Sequence, residues 1–185
     1  MNLTSVIAAV RSDRDFEDAL QTSVSTIFQL VPHLMSVANQ AKAAHQKGKT
    51  FFVHLDLAEG IAKDRVGIRF LKRAGVDGVI STRQNLIKLA REEGLLTVQR
   101  FFALDSRSVE TIVESVKSTK ADMIEVMPGV VPKVIRRLCT LVDTPIIAGG
   151  LVETLWERDA VLENGGRAVS TGNHSLWEEA HGTER

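Results

Sequence analysis

The positions of apolar and polar residues divide the chain into two kinds of segment that alternate. Short runs that are almost continuously apolar predict buried strands, and segments whose apolar residues recur every three or four positions predict helices. The predicted strands are 5–10, 26–30, 50–57, 78–82, 95–104, 121–127, 146–148 and 167–169. The predicted helices are 13–20, 32–45, 65–74, 85–93, 108–119, 132–141 and 153–163.

The order of these elements predicts the fold class. Strands that are apolar on both faces belong to a parallel sheet covered by helices, and Gly48, Gly75 and Gly94 stop three of the helices. Eight strand–helix units favour an α/β fold of the TIM type, a compact (β/α)8 barrel, over an open sheet. A seven-stranded or incompletely closed barrel is the alternative. We expect one domain over residues 1–185, with residues 178–185 as a flexible tail.

Two of the predicted strands end in residues that suit a phosphate group. Strand 146–148 is followed by Gly149 and Gly150, and strand 167–169 is followed by Ser170 and Thr171. Because a helix connects these strands, they are parallel and their carboxyl ends meet at one edge of the sheet. Glycines let backbone N–H groups approach an anion, and hydroxyls add donors. Either pair alone would indicate a turn or a helix cap, but the two together predict a phosphate site.

Charged residues also lie at the ends of otherwise apolar strands. Asp56, Arg100 and Glu125 are costly there unless they are paired. In a functional interpretation, Arg100 binds a phosphate while the two carboxylates accept hydrogen bonds from a small phosphorylated polyol. Ser81 and Thr82 would add hydroxyls at the same edge. In the alternative, Arg100 bridges the two acids in a structural ion-pair network and no ligand binds.

His54 precedes Asp56 by two residues and faces the same side of its strand. A His-x-Asp pair can bind a divalent metal or position a general base, but we predict a core histidine with satisfied hydrogen bonds. No catalytic residue, metal site or cofactor is predicted, since the chain has no Gly-x-Ser-x-Gly motif, P-loop or Gly-x-Gly-x-x-Gly fingerprint. This favours a sensor. The alternative is an enzyme for a phosphorylated polyol or sugar, with Asp56 or Glu125 as general base.

The overall charge gives no support for nucleic-acid or membrane binding, because 23 Lys and Arg residues balance 23 Asp and Glu residues. Two local basic clusters on predicted helices are candidates for RNA contact, although solvated helix surfaces are the favoured interpretation. They consist of Arg65, Arg69, Lys72 and Arg73, and of Lys133, Arg136 and Arg137. The single Cys139 excludes a disulfide framework, and no apolar run approaches membrane-spanning length, so we expect a cytoplasmic protein.

Five sequence blocks, taken in order, resemble a known family. They are 54–57 (His-Leu-Asp-Leu), 78–83 (Gly-Val-Ile-Ser-Thr-Arg), 98–102 (Val-Gln-Arg-Phe-Phe), 122–129 (Asp-Met-Ile-Glu-Val-Met-Pro-Gly) and 145–151 (Pro-Ile-Ile-Ala-Gly-Gly-Leu). With them, the chain from Thr50 to Trp177 resembles the glycerol-3-phosphate-responsive antiterminators of the glycerol uptake operon. The resemblance implies a TIM-barrel-like regulator that binds glycerol 3-phosphate. The liganded protein would act on the leader of nascent mRNA, so that transcription continues past a terminator.

The resemblance also implies the ligand site and the partners. Glycerol 3-phosphate would be the effector, leader mRNA the partner, and a homo-oligomer is compatible with this function. The phosphate is expected at Gly149, Gly150, Ser170 and Thr171, with Asp56, Glu125 and Arg100 nearby. Gly172 stands where a further hydroxyl residue is expected, and it keeps a backbone N–H but offers no side-chain donor.

Overall fold

In a computed structural model of the protein, residues 3–178 are described, and they form strands and helices in strict alternation. The strands are β1 (Val6–Val10), β2 (Thr26–Gln29), β3 (Thr50–His54), β4 (Gly78–Ser81), β5 (Leu96–Phe102), β6 (Met123–Met127), β7 (Ile146–Gly149) and β8 (Ala168–Thr171). The helices are α1 (Asp13–Gln21), α2 (Val37–Gln46), α3 (Arg65–Arg73), α4 (Gln84–Glu92), α5 (Ser106–Thr119), α6 (Pro132–Cys139), α7 (Leu155–Glu163) and α8 (His174–Glu178).

The strands form a closed parallel barrel in chain order. Each strand pairs with the next, and β8 returns to β1 with Val6 opposite Val169 and Ala8 opposite Thr171. The predicted TIM-type (β/α)8 barrel is therefore confirmed. The alternative of a seven-stranded or incompletely closed barrel is wrong. All eight strand carboxyl ends lie at one mouth of the barrel, where this fold places its binding sites.

Alternate side chains of the strands fill the barrel interior. They form one apolar cluster, separate from the larger cluster between the strands and the surrounding helices. The inner cluster contains Leu3, Ile7, Phe28, Leu30, Phe52, Ile80, Val98, Met123, Ile147 and Ala168. The rings of Phe28 and Phe52 lie 5.4 Å apart at its centre. Because the interior is packed with side chains, a ligand has access only to the mouth.

The glycines predicted to stop helices do so in the left-handed conformation. Gly48, Gly75 and Gly94 have φ of 70°, 87° and 78°, which glycine adopts without the steric penalty of a Cβ. The last helix, α8, holds the end of the chain to the barrel, since the indole N–H of Trp177 donates to the Thr171 carbonyl at 2.9 Å. Glu178, predicted as the start of the tail, is the last residue of α8. Residues 179–185 lie outside the described residues.

The two largest errors in the predicted boundaries concern the helix after β2 and the end of β3. The predicted helix 32–45 begins at Val37. Pro32 accepts a hydrogen bond from the N–H of Glu59 at 2.8 Å, and the N–H of Leu34 donates back to Glu59 at 3.0 Å. The predicted strand 50–57 ends at His54, and residues Leu55–Leu57 form a turn of 3₁₀ helix.

Helix α7 leaves one large apolar side chain in solvent. Trp156, in the predicted helix 153–163, is 77% exposed. Thr154 caps the helix by accepting a hydrogen bond from the N–H of Glu157, and this start turns Arg158 and Val161 towards the barrel. Arg158 forms an ion pair with Asp159 at 2.7 Å. Among the described residues, no helix has the length and apolarity needed to cross a membrane.

Candidate functional site

A cavity of about 510 Å³ opens at the carboxyl ends of the strands. This volume lies within the range of small-molecule sites. Its walls come from the ends of β5 and β6 and from the segments that follow β1, β2, β7 and β8. The lining residues are Ala9, Arg11, Asp15, Leu30, Arg100, Glu125, Met127, Gly150, Leu151, Val152, Glu153, Ser170, Thr171, Gly172 and Asn173.

Several residues that line the cavity where β7 and β8 end have backbone N–H groups without an acceptor. Within residues 3–178, the N–H groups of Gly150, Leu151, Val152 and Gly172 donate no hydrogen bond. Gly150 and Leu151 both have positive φ, 75° and 62°, which turns this part of the chain away from the regular sheet. Unpaired backbone donors at a strand end form an anion-binding concavity. The arrangement can therefore hold a phosphate without any side-chain hydroxyl.

The segments after β7 and β8 are tied together by side chains. The Thr171 hydroxyl donates to the Val152 carbonyl at 2.6 Å and accepts from the N–H of Asn173 at 3.0 Å. The Asn173 amide donates to the Glu153 carbonyl at 2.6 Å. The Thr171 hydroxyl, predicted as a phosphate donor, thus holds the two segments in place, and backbone groups are left to face the cavity.

The inward-facing residues of the next layer towards the barrel mouth are polar. His54, Arg100, Glu125 and Ser170 each follow a residue of the inner apolar cluster by two positions, so all four face the barrel axis. Arg100 donates through Nε to Glu125 Oε2 at 2.5 Å, and the Ser170 hydroxyl donates to Glu125 Oε1. Glu125 is fully buried and Arg100 nearly so, hence this pair is shielded from water.

Only part of the Arg100 guanidinium is engaged by Glu125. Its Nε is occupied by Glu125, but within residues 3–178 its two terminal nitrogens make no hydrogen bond. Because Arg100 lines the cavity, these donors are available to an anion or a hydroxyl group. Arg11 is a second cation of the wall. It is exposed, and among the described residues its guanidinium forms no ion pair.

Gly149 has a role different from the one predicted. It does not line the cavity. A Cβ at Gly149 would lie 2.5 Å from Glu125 Oε1 and 2.7 Å from the Ser170 hydroxyl, closer than real Cβ contacts. The absence of a side chain therefore makes room for the buried contact between Glu125 and Ser170.

Asp56, Ser81 and Thr82 form a separate cluster at the ends of β3 and β4. Asp56 accepts from the Ser81 hydroxyl at 2.7 Å, and from the N–H and hydroxyl of Thr82 at 2.7 Å and 2.8 Å. Burial alone would raise the pKa of Asp56, but these hydrogen bonds hold that pKa below its ordinary value. None of the three lines the cavity. Within residues 3–178, Arg100 pairs with Glu125 and not with Asp56, so the alternative in which it bridges the two acids is wrong.

The enzyme alternative needs a carboxylate that is free to accept a proton. Asp56 is saturated by donors from β4 and the segment after it, and Glu125 is held by Arg100 and Ser170. The observed contacts do not favour either residue as a general base. Within the described part of the chain, no group of three or more His, Cys, Asp or Glu residues is arranged to hold a metal ion.

The prediction that His54 is a satisfied core residue is wrong. The side chain is buried, yet within residues 3–178 neither ring nitrogen has a hydrogen-bond partner. Its Nε2 lies 3.7 Å from Asp56 Oδ2, too far for a hydrogen bond. Burial, followed by the positive charge of Arg100, lowers the pKa of His54 to about 4, against the opposing effects of Asp56, Glu125 and a weak contact with the Leu30 backbone that falls short of hydrogen-bond geometry. The imidazole is therefore neutral at physiological pH.

This lowered pKa predicts a loss of stability in mild acid. Above pH 6.5, His54 is neutral in both the folded and unfolded states. As the pH falls from 6.5 towards 4, the unfolded chain takes up a proton that the folded chain resists, so the free energy of unfolding decreases by up to about 3 kcal/mol. The His54→Leu variant lacks this component. Urea denaturation of both proteins between pH 7 and 4 should show a divergence, and parallel profiles would contradict the assignment.

The two basic clusters predicted from sequence differ in their surroundings. On α3, Arg65 pairs with Glu92 and Glu93 at 2.5 Å and 2.8 Å, and Arg69 pairs with Glu93 at 3.0 Å. Lys72 donates to the Glu93 carbonyl. Glu92, in α4, and Glu93, which follows it, therefore neutralise the charges of Arg65 and Arg69. Arg73 has no such pair within the described residues.

The α6 cluster keeps its charge. Lys133, Arg136 and Arg137 are exposed, and among the described residues none lies within 4 Å of a carboxylate. They extend along one short helix that begins at Pro132. Of the two clusters, the one on α6 therefore keeps its positive charges unpaired.

Sequence reasoning missed Arg11, Val152 and Asn173. Arg11 directly follows a predicted strand, so the rule applied to the other strand ends would have found it. Val152 contributes a backbone group, which no residue type signals. Asn173 acts through a contact with Glu153, which is remote in sequence.

Comparisons with known proteins bear on the family and the fold. The family model described as "Glycerol-3-phosphate responsive antiterminator" matches residues 6–177. The chain is 35% identical over 173 residues to the uncharacterized protein YgcP of Escherichia coli (strain K12), covering 93% of this chain and 91% of that protein.

Two solved structures are similar over almost their whole length. One is the glycerol uptake operon antiterminator regulatory protein of Listeria monocytogenes, with 34% identity, a TM-score of 0.88, and coverage of 94% of this chain and 95% of that one. The other is a glycerol uptake operon antiterminator-related protein of Thermotoga maritima, with 32% identity, a TM-score of 0.85, and coverage of 96% and 99%.

Proposed function

The chain belongs to the glycerol-3-phosphate responsive antiterminator family, and from this premise we propose that it senses glycerol 3-phosphate and regulates transcription antitermination through leader mRNA. The effector binds in the cavity at the barrel mouth. The liganded protein then acts on the leader transcript of a glycerol-utilisation operon, so that RNA polymerase passes the terminator.

The observation that carries this proposal is the set of free backbone donors at the ends of β7 and β8. Gly150, Leu151, Val152 and Gly172 line one cavity and, within residues 3–178, have N–H groups without a hydrogen bond, and Arg11 and Arg100 add positive charge to its wall. A phosphate dianion accepts several such hydrogen bonds at once. Carboxylate oxygens of the same wall, such as those of Glu153, accept hydrogen bonds from the glycerol hydroxyls.

The site lies between two segments of the barrel mouth, so a small ligand bound there can change the protein surface that these segments form. The phosphate bridges the segments after β7 and β8, which hydrogen-bond to each other through Thr171 and Asn173. Ligand binding favours the state in which these segments are ordered. If RNA binds that state more tightly, each ligand raises the affinity for the other by the same factor.

The RNA contact is assigned to α6, because its three basic residues are free of ion pairs in the described chain. Phosphate contacts of this kind are sequence-independent and depend on salt. Helix α6 carries these three positive charges and directly precedes β7, whose carboxyl end is part of the proposed phosphate site. Ligand-induced ordering after β7 is therefore close in the chain to the proposed RNA surface.

A triple variant tests this function. With glycerol 3-phosphate present, Lys133→Gln/Arg136→Gln/Arg137→Gln should bind leader RNA at least tenfold more weakly than the parent. The slope of log K against log salt should fall by about 2, since three phosphate contacts are lost at roughly 0.7 each for a single strand. Filter binding over a salt series measures both quantities.

The control is the paired cluster on α3, changed to Gln at Arg65, Arg69 and Lys72. Because Arg65 and Arg69 pair with Glu92 and Glu93, and the Lys72 ammonium is engaged by the Glu93 carbonyl, this variant should bind RNA within about twofold of the parent. Equal losses in both triple variants, or no RNA binding by the parent with effector present, would contradict the proposal.

A further inference from the structure

His54 is a buried polar side chain that the fold itself leaves unsatisfied. It is 4% exposed, and neither Nδ1 nor Nε2 has a hydrogen-bond partner in the described chain. An unpaired buried polar group lowers stability by roughly 1–3 kcal/mol, so natural proteins retain few of them. A group of this kind at the mouth of a binding barrel indicates a partner that arrives with the ligand.

The barrel geometry defines where that partner comes from. In the closed ring of eight strands, β3 stands opposite β7. The proposed phosphate position lies at the ends of β7 and β8, and a ligand held there by its phosphate extends across the barrel axis. On the far side it meets the inward-facing end of β3, which carries His54, and on the way it passes that of β5, two strands from β7, which carries Arg100.

His54 lies close to the cavity wall without being part of it. Arg100 and Glu125 line the cavity, and the charges of both act on the His54 ring. The ring nitrogens are buried in the ligand-free structure, so a ligand group that passes the free terminal nitrogens of Arg100 towards the axis reaches His54 when the ring turns towards the cavity.

We infer that His54 is a specificity-determining residue, which hydrogen-bonds the hydroxyl groups of the polyol end of the ligand while the β7 and β8 ends bind its phosphate. This inference rests on the function proposed above. It assigns the site to phosphorylated polyols with free hydroxyls, rather than to phosphate esters in general.

The chemistry of the imidazole suits this task. A neutral ring has one N–H donor and one nitrogen acceptor, which matches a hydroxyl group that both donates and accepts. Arg100 supplies donors only, and Glu125 is occupied by Arg100 and Ser170. The low pKa of His54 keeps the ring neutral throughout the physiological range.

The role predicts opposite changes in stability and in binding. Replacing His54 with Leu removes an unsatisfied buried polar group, so the ligand-free variant should unfold at the same or a higher temperature than the parent at pH 7. Its affinity for glycerol 3-phosphate should fall about tenfold, the equivalent of one or two hydrogen bonds. A merely structural histidine would lose stability when replaced.

The test is calorimetric titration of the parent, His54→Leu and His54→Gln with glycerol 3-phosphate, propyl phosphate and inorganic phosphate. The parent should prefer glycerol 3-phosphate to propyl phosphate by tenfold or more. In His54→Leu this preference should fall to about twofold, with inorganic phosphate unchanged, and His54→Gln should restore part of it. His45→Leu, at an exposed histidine on α2, is the control and should bind as the parent does.

Each other outcome overturns the inference. If His54→Leu keeps the parental preference, the ring contacts only buried water or protein, while the phosphate site and the proposed function stand. If all three ligands weaken equally, His54 supports the fold of the site as a whole. If the parent binds none of them, the proposed function fails and this inference fails with it.

Discussion

Replacement of Arg100 by Met will lower the free energy of unfolding by about 3–5 kcal/mol and abolish effector binding. Glu125 is fully buried, and Arg100 is the cation that compensates its charge. A methionine fills a similar volume but leaves the carboxylate with the Ser170 hydroxyl alone. Chemical denaturation at pH 7 measures the stability loss, and calorimetric titration measures the loss of glycerol 3-phosphate binding.

The double variant Arg100→Met/Glu125→Met separates charge from packing. Removing both members of a buried pair leaves no uncompensated charge, so the double variant should recover at least half of the stability that Arg100→Met loses. It should still not bind the effector. A double variant less stable than either single variant would show that the pair is not coupled as described.

Introducing a carboxylate at Gly172 should lower the affinity for glycerol 3-phosphate about a hundredfold, which is the second large effect we expect. Gly172 lines the cavity beside the free N–H groups, and a Cβ there would meet only the Ala9 carbonyl at 3.6 Å, an ordinary contact. The Gly172→Asp variant should therefore fold normally. Its charge would oppose a phosphate a few ångströms away by several kcal/mol at the effective dielectric of a protein surface.

Gly172→Asn is the matched control, because Asn has the size of Asp without the charge. Its affinity for the effector should stay within about fivefold of the parent, with an unfolding midpoint equal to that of Gly172→Asp. If Asn and Asp reduce binding equally, the effect is steric, and the phosphate does not lie beside Gly172.

The barrel could be predicted from sequence because its signals are local. Each strand is a short apolar run, and Gly48, Gly75 and Gly94 end helices through their own conformation. The boundary errors arose where a distant segment intervened, as when Glu59 pairs with Pro32 and Leu34.

The site was predicted only in outline, because its geometry depends on contacts between strands. The edge of the sheet and the residues Gly150, Arg100 and Glu125 were identified from strand ends. The bond between the Thr171 hydroxyl and Val152 and the missing partners of His54 involve residues remote in sequence, which no local pattern reveals. Likewise, pairing of α3 with Glu92 and Glu93 decides which basic cluster remains charged.

The central claim is that the cavity binds glycerol 3-phosphate, and thermal unfolding with and without this ligand tests it most directly. A ligand that binds only the folded state adds about 2.7 kcal/mol at a hundred times its dissociation constant, which raises the midpoint by roughly 5–10 °C for a chain of this size. We predict this rise with glycerol 3-phosphate, a smaller rise with inorganic phosphate and none with glycerol. An unchanged midpoint at millimolar glycerol 3-phosphate, or an equal rise with phosphate alone, would contradict the account.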